Sequence, residues 1–402
     1  MISESARSFD RQWADLAETG RHPHTGGYRR YALTREDHDL REWFAGEAAG
    51  RGLEVTTDRV GNQWAWWGDP DTTPGVVTGS HLDSVPDGGA YDGPLGVVGA
   101  FVALDRLRAE GFTPQRPLGI VNFTDEEGAR FGVACAGSRV LTGALAAERA
   151  LGLRDADGLS MAEALRAAGR DPEWLGPDPE VLRRVGAFVE LHVEQGRGLI
   201  DLDQPVALGT DIWPHGRWRL DFPGEANHAG TTRLEDRRDA MVGLATTVLA
   251  ARSAATTHGC VATMGKTVIV PGGVNAIPSA ATGWLDARGD DEAAVRRTVR
   301  EVSGAAAAWG AVVTEESWTP TTLFDPVLLG RLRRVLPSAP LLGTGAGHDA
   351  GILATAGIPT GMIFVRNPTG VSHSPAEHAE RADCLAGATA LAEVLTELVG
   401  ER

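Results

Sequence analysis

The amino-acid sequence predicts an α/β fold: a mixed, largely parallel sheet flanked by helices and interrupted by an inserted α+β module of ferredoxin-like order. Three observations carry the prediction. Short apolar runs at Val76-Val77-Thr78, Pro117 to Phe123 and Ala187 to Leu191 read as buried strands separated by helical stretches. Each run leads into a cluster of histidines or acids, and in open α/β sheets ligands bind at the carboxyl edge of the strands. From about Thr210 the order changes to strand-helix-strand-strand-helix-strand. The larger domain is therefore expected to comprise residues 1–209 and 322–402, with residues 210–321 inserted in it.

In chain order, Leu40, Trp43, Phe44 and Ala48 fall at helical spacing, and Leu53 to Thr57 and Gln63 to Trp67 read as strands. The Trp64, Trp66 and Trp67 group reads as wall or core. Pro94 is well placed at the first turn of a helix through Val97, Val98, Phe101, Val102, Leu104 and Leu107. Residues Asp155 to Arg184 are expected to be polar and helical. Within the insert, strands are expected at Trp218 to Phe222, Val261 to Val270, Trp284 to Arg288 and Val312 to Trp318, with helices from about Arg238 to Ser253 and Glu292 to Trp309. From about Thr322 the chain returns to helix, Gly-rich loop, strand and helix.

Composition narrows the function. The chain has 402 residues, and at roughly 150 residues per domain two or three modules are expected. A net charge of −16 argues against nucleic acid and anionic membranes as partners, because long-range repulsion opposes the encounter. Cys135, Cys260 and Cys384 are odd in number and far apart, which implies neither a disulfide framework nor a cysteine zinc site and suits a reducing cytoplasm. The N-terminal segment lacks a basic-then-apolar pattern, and no apolar run approaches about 18 residues, so neither export nor anchoring is expected.

The acids and histidines at strand ends are His81 and Asp92, Glu126 and Glu127, His192, His348 with Asp349, and His373. Histidine and carboxylate without cysteine suit zinc in a catalytic site, or manganese, cobalt or nickel in similar coordination. A carboxylate bridging two such ions, about 3.5–4 Å apart, makes a two-metal hydrolytic centre. Adjacent Glu126 and Glu127 diverge, so one can bind metal while the other faces the substrate.

His81-Leu82-Asp83-Ser84, Gly89-Ala90-Tyr91-Asp92-Gly93, Asp125-Glu126-Glu127-Gly128, Glu190-Leu191-His192-Val193-Glu194-Gln195-Gly196, Asn227-His228-Ala229-Gly230-Thr231-Thr232 and Ser372-His373-Ser374-Pro375 occur in that order. Together they resemble the dinuclear metal amidohydrolases related to aminoacylase, more narrowly the branch with allantoate amidohydrolase and N-carbamoyl-L-amino acid hydrolase. The resemblance implies a metal-dependent exopeptidase-like catalytic domain with two divalent metal ions. Asp92 would bridge them, His81 and His192 would complete one, and Glu127 and His373 the other. Glu126 would be the general base toward the water between the ions, and Asp83 would orient His81. His228, from the insert, would stabilise the oxyanion. The insert would act as lid and dimerisation domain, giving a homodimer.

The resemblance also implies a small anionic ureido or N-carbamoyl substrate, hydrolysed with release of ammonia and CO2. Asn275 and Arg288 resemble the residues that grip the substrate α-carboxylate. Gln195 is expected to face the ureido group, His348 to supply another donor, and Arg217 and His215 to lie nearby. The family commonly has Pro-Met where this chain has Arg233-Leu234, and Phe where it has Tyr91; neither departure touches a proposed ligand, and Arg233 near the lid bears on the choice of substrate side chain. An N-acyl or N-formyl amino acid hydrolase, a dipeptidase, and a catalytically silent metal-binding homologue are the competing readings.

Overall fold

The structure is a computed structural model and describes residues 4–400. It begins with helix α1 (Glu4–Leu16) and α2 (Arg35–Gly50), whose Leu40, Phe44 and Ala48 face inward at successive turns. Thr34 caps α2 by accepting the backbone N–H of Asp37. Strands β1 (Glu54–Thr57), β2 (Gln63–Trp67) and β3 (Gly75–His81) follow, then α3 (Pro94–Ala109) and β4 (Leu118–Phe123). Next come four short helices, α4 (Ala136–Thr142), α5 (Ala147–Gly152), α6 (Met161–Ala167) and α7 (Pro179–Arg184), before β5 (Val185–Val193), α8 (Gly198–Leu202) and β6 (Val206–Ile212).

The middle of the chain forms β7 (His215–Pro223), β8 (Asn227–His228), α9 (Ala240–His258), β9 (Val261–Val270), β10 (Ala276–Ile277), β11 (Ala280–Arg288), α10 (Glu292–Ala307) and β12 (Val312–Thr319). The chain closes with β13 (Thr322–Leu323), α11 (Pro326–Val335), β14 (Leu341–Thr344), α12 (Asp349–Thr355), β15 (Thr360–Val365) and α13 (Arg381–Val399).

Two compact units result. One comprises residues 1–210, 323–342 and 347–402, the other residues 211–322 and 343–346. In the first, the sheet order is β1-β2-β4-β3-β5-β15-β6-β13, with β14 paired to β6. Its centre, β4-β3-β5-β15, is parallel, and the flanking β2 and β6 run antiparallel to it. β3, β4 and β15 are buried along their whole length, as expected of strands covered on both faces. The core joins α3, whose residues Pro94 to Leu104 are all buried, to α13 through Leu391, Leu395 and Val399. Trp64 and Trp66 are also buried, Trp64 donating its indole N–H to Asp58 Oδ2 at 3.1 Å.

The second unit has a four-stranded antiparallel sheet ordered β12-β7-β11-β9, the ferredoxin-like arrangement, with α9 and α10 packed on Leu220, Phe222 and Leu285. The polar stretch 155–184 is less helical than its composition suggests. Gly169, Pro172, Pro177 and Pro179 break it into α6, a 3-10 turn at Pro172–Trp174 and α7, because proline removes an N–H and fits only a first helical turn. Among the described residues no helix is long and apolar enough to cross a membrane.

Candidate metal centre

Four chain segments converge at the carboxyl edge of the parallel strands. His81 is the last residue of β3, and Asp92 lies just before α3. Between Asp92 and α3, Gly93 has φ +85°, and a Cβ there would stand 2.4 Å from the His81 ring, so glycine lets the loop close over the imidazole. Glu126 and Glu127 follow β4 in a turn where Asp125 adopts φ +55°. His192 is the penultimate residue of β5, and His373 sits in the loop after β15 with φ +54°.

Asp92 is the centre of the cluster. Its Oδ1 lies 3.3 Å from His192 Nε2 and 3.7 Å from His81 Nε2, whereas its Oδ2 lies 3.3 Å from His373 Nε2. His373 Nε2 in turn lies 3.7 Å from Glu127 Oε2. Two sets of potential ligands share this aspartate, His81-Asp92-His192 and Asp92-Glu127-His373, each with its donor atoms within 4.8 Å of one another. His192 Nε2 and Glu127 Oε1 are buried without a hydrogen-bond partner. Orphaned donor atoms at the centre of a nitrogen-and-oxygen ligand set are what a site built for divalent cations presents.

The surrounding contacts fix direction. His192 Nδ1 faces the Val193 carbonyl at 2.9 Å, leaving Nε2 for the centre. His81 Nδ1 faces the Asp83 carbonyl at 3.2 Å and its carboxylate at 3.5 Å, while Asp83 also accepts the backbone N–H groups of Glu126 and Glu127 at 3.2 and 3.1 Å. Gln195 donates to Asp92 Oδ2 at 2.9 Å. A further cluster of Glu190, His192 and His348 is also buried. It shares His192 with the first set, and Glu190 already accepts from Ser80 Oγ at 2.7 Å and Ala350 N at 3.2 Å.

Charge accumulates here without solvent. Burial pushes the Glu126 carboxyl well above the usual carboxylate range, against the pull of His81. Glu127 is likewise raised by burial and by Asp92. For Asp92 burial acts upward, but the adjacent imidazoles of His192 and His373 outweigh it and hold the carboxylate well below its ordinary value. His348 is held neutral by burial and by the neighbouring His192, and its Nε2 has no partner. Glu126 Oε2 lies 3.8 Å from His81 Nε2, and its Oε1 accepts from Cys135 Sγ at 3.2 Å.

The other anticipated residues belong to the second unit. His228 Nδ1 accepts the Gly230 N–H at 3.0 Å, so in the neutral ring the proton is on Nε2. Asn275 precedes β10, whose Ala276 pairs with His228, and its carbonyl accepts the Ala229 N–H at 2.9 Å. Arg288 donates from Nε and Nη2 to Asp286 at 2.7 and 3.0 Å and from Nη1 to the Gly345 carbonyl at 2.7 Å. Those bonds take three of the five N–H groups of a guanidinium. Arg217 Nε lies 3.6 Å from Asp286, and His215 Nδ1 faces the Trp213 carbonyl at 2.9 Å.

Cys135, Ser372, Glu377 and the Ser138–Asp349 pair are contacts that sequence reasoning missed. Ser138 Oγ donates to Asp349 at 2.5 Å, and Glu377 touches the backbone of Asp92 from a distant part of the chain. Nothing in the local sequence marks Glu377, because residues 371–380 are not helical and its partners Tyr91 and Asp92 lie far off in the chain.

A parallel-sheet edge that gathers histidines and carboxylates about one shared aspartate defines a class, the metal-dependent hydrolases. Residues 77–397 match peptidase family M20/M25/M40, and the chain belongs to that family. It is 38% identical over 401 residues to the N-carbamoyl-L-amino acid amidohydrolase of Geobacillus stearothermophilus, with 96% of each chain covered. With the allantoate amidohydrolase of Escherichia coli (strain K12) the identity is 30% over 420 residues, with 100% of each covered. A crystal structure of an amidase of the hydantoinase/carbamoylase family from Burkholderia vietnamiensis superimposes with a TM-score of 0.87 at 31% identity, covering 98% of this chain and 97% of that one.

Proposed function

We propose that the protein is a dinuclear metal amidohydrolase that cleaves a linear C–N bond of an N-carbamoyl-L-amino acid, or of allantoate, releasing ammonia and CO2. The observation that carries this reading is the division of the Asp92 carboxylate, one oxygen toward His81 and His192 and the other toward His373. His81, Asp92 and His192 would hold one ion and Asp92, Glu127 and His373 the other, with zinc first and manganese, cobalt or nickel as alternatives. Bound there, the ions supply Lewis acidity, making water more acidic and polarising the ureido carbonyl.

The chain's own groups do the rest. Glu126, buried beside His81, takes the proton of the attacking water as the water oxygen bonds to the ureido carbon, then returns it to the departing nitrogen. The Nε2–H of His228 donates to the oxyanion that develops. Arg288, held by Asp286, would present its remaining N–H groups to the substrate carboxylate, Asn275 and Arg217 would contribute to the same grip, and Gln195 and His348 would meet the ureido group. Glu194 is set aside for structure, since it accepts from Gly198 N at 2.5 Å and Leu199 N at 2.8 Å.

The second unit supports a homodimer. β9 is an edge strand of ten residues exposing Val261, Val268 and Val270, and α9 exposes Met241, Val242, Val248 and Leu249. An open edge beside an apolar helix face favours pairing with a second copy. Three free cysteines favour a cytoplasmic location.

The test is ammonia release from N-carbamoyl-L-amino acids, allantoate, N-formyl and N-acyl amino acids and dipeptides, using apo-protein refilled with each of the four metals. Ammonia from the ureido substrates is expected. Turnover confined to N-acyl, N-formyl or dipeptide substrates would transfer the assignment to those chemistries, and no turnover with any ion would leave a silent homologue.

A further inference from the structure

We propose that Glu377 is a positioning residue that locks the His373 loop onto the backbone of Asp92 and thereby sets the affinity of the ion held by Asp92, Glu127 and His373. The inference rests on the dinuclear reading above and extends it to a residue outside the ligand set. Glu377 Oε1 accepts the backbone N–H groups of Tyr91 and Asp92 at 2.9 and 3.0 Å. Its Oε2 accepts from Ser372 Oγ at 2.8 Å, and Ser372 is the residue before His373. One carboxylate therefore ties together two loops 285 residues apart, each carrying a ligand.

The neighbouring geometry is built around this contact. Glu377 is only 5% exposed, and its own N–H donates to the Ser374 carbonyl at 3.0 Å, closing the turn that follows His373. His373 holds a left-handed backbone at φ +54°, a conformation that a non-glycine residue keeps only where its surroundings enforce it. A Cβ on Gly89 would lie 2.3 Å from Glu377 Oε1 and 2.4 Å from its Cβ, so the chain leaves a side-chain-sized gap where this carboxylate sits. Gln195 Nε2 bridges Ser372 Oγ at 3.2 Å and Asp92 Oδ2 at 2.9 Å, completing a ring of hydrogen bonds that ends on the shared aspartate.

His81 and His192 stand on strand residues, whereas His373 follows Ser372, which Glu377 holds directly; Asp92, whose backbone Glu377 also holds, is common to both ion positions, so the position with His373 depends on the clip twice and the other once. Losing the clip should weaken the equivalent held with His373 more than the other. Second-sphere partners of ligands typically account for roughly 10- to 100-fold in metal affinity.

The experiment titrates zinc into the full-length apo-protein by calorimetry, for the parent and for Glu377→Ala, Glu377→Gln, Gly89→Ala and the Glu377→Ala/Gly89→Ala double variant. Melting temperatures of the apo forms are measured alongside. We expect two equivalents in the parent, and in Glu377→Ala and Gly89→Ala about tenfold or greater weakening of one equivalent with a clearly smaller change in the other. Glu377→Gln, which keeps an oxygen for the two amides, should lose less. The double variant should be no weaker than Glu377→Ala, since both changes break one contact. Two equivalents of parent affinity in Glu377→Ala would overturn the positioning role while leaving the dinuclear reading intact. Equal weakening of both equivalents would overturn it also, and a parent that binds fewer than two ions would overturn both.

Discussion

Asp83 Oδ1 accepts the backbone N–H of Glu126 at 3.2 Å, and the other oxygen of the same carboxylate accepts that of Glu127 at 3.1 Å. Since Asp83 also faces His81 Nδ1, one buried side chain directs a histidine and two glutamates. Asp83→Asn keeps only one acceptor oxygen and turns an amide NH2 toward the remaining N–H. We expect kcat to fall about 10- to 100-fold, with a parallel loss of metal affinity. Steady-state kinetics with metal analysis checks this, and parent values would remove Asp83 from the orienting role.

Glu126→Gln should cost roughly 10²- to 10⁴-fold in kcat, the usual contribution of a positioned base, with both ions retained. Full activity would exclude Glu126 as the proton carrier. Loss of an ion would instead mark it as a ligand.

Arg288→Lys should weaken substrates that carry an α-carboxylate by roughly 2–4 kcal/mol in kcat/KM, the scale of a desolvated bidentate pair. Because Asp286 clamps the guanidinium through Nε and Nη2, Asp286→Asn should raise KM in the same direction without touching the metals. An unaltered specificity constant in both variants would contradict the assignment.

The alternation of strand, polar loop and helix is legible in the sequence because each buried strand carries a short apolar run and leads into a polar cluster: Val76 to His81, Leu118 to Phe123, then Val185 to Val193. The insert is legible through the period of its strands, as in Ala280–Arg288, where buried and part-buried residues alternate. What escaped was tertiary. Cys135 reads as an inert thiol until its Sγ is found against Glu126, and Glu377 acquires a role only when residues far apart in the chain meet. The helices of residues 136–152 also escaped, since neither spans two full turns and no amphipathic period can develop.

Ion binding should release protons. The hydrogen bond to Asp92 raises His373 from its ordinary 6.5 to about 9, and burial raises Glu127. The His373–Asp92 pair therefore stabilises the ion-free protein fully below pH 6.5, and that contribution is lost as pH rises through about 9. Near pH 7 a ligand nitrogen carries a proton that an ion must displace, so zinc affinity should climb with pH toward about 9. Calorimetry in buffers of different ionisation enthalpy measures the protons released; none released at pH 7 would contradict the prediction.

The most direct test is the zinc content of Asp92→Asn beside the parent, measured by elemental analysis after equilibration with buffered free metal. The parent should hold two ions per chain. The variant should lose both tight sites, because one carboxylate serves His81 and His192 through Oδ1 and His373 through Oδ2. One ion in the parent, or two retained in Asp92→Asn, would contradict a centre built on that shared carboxylate.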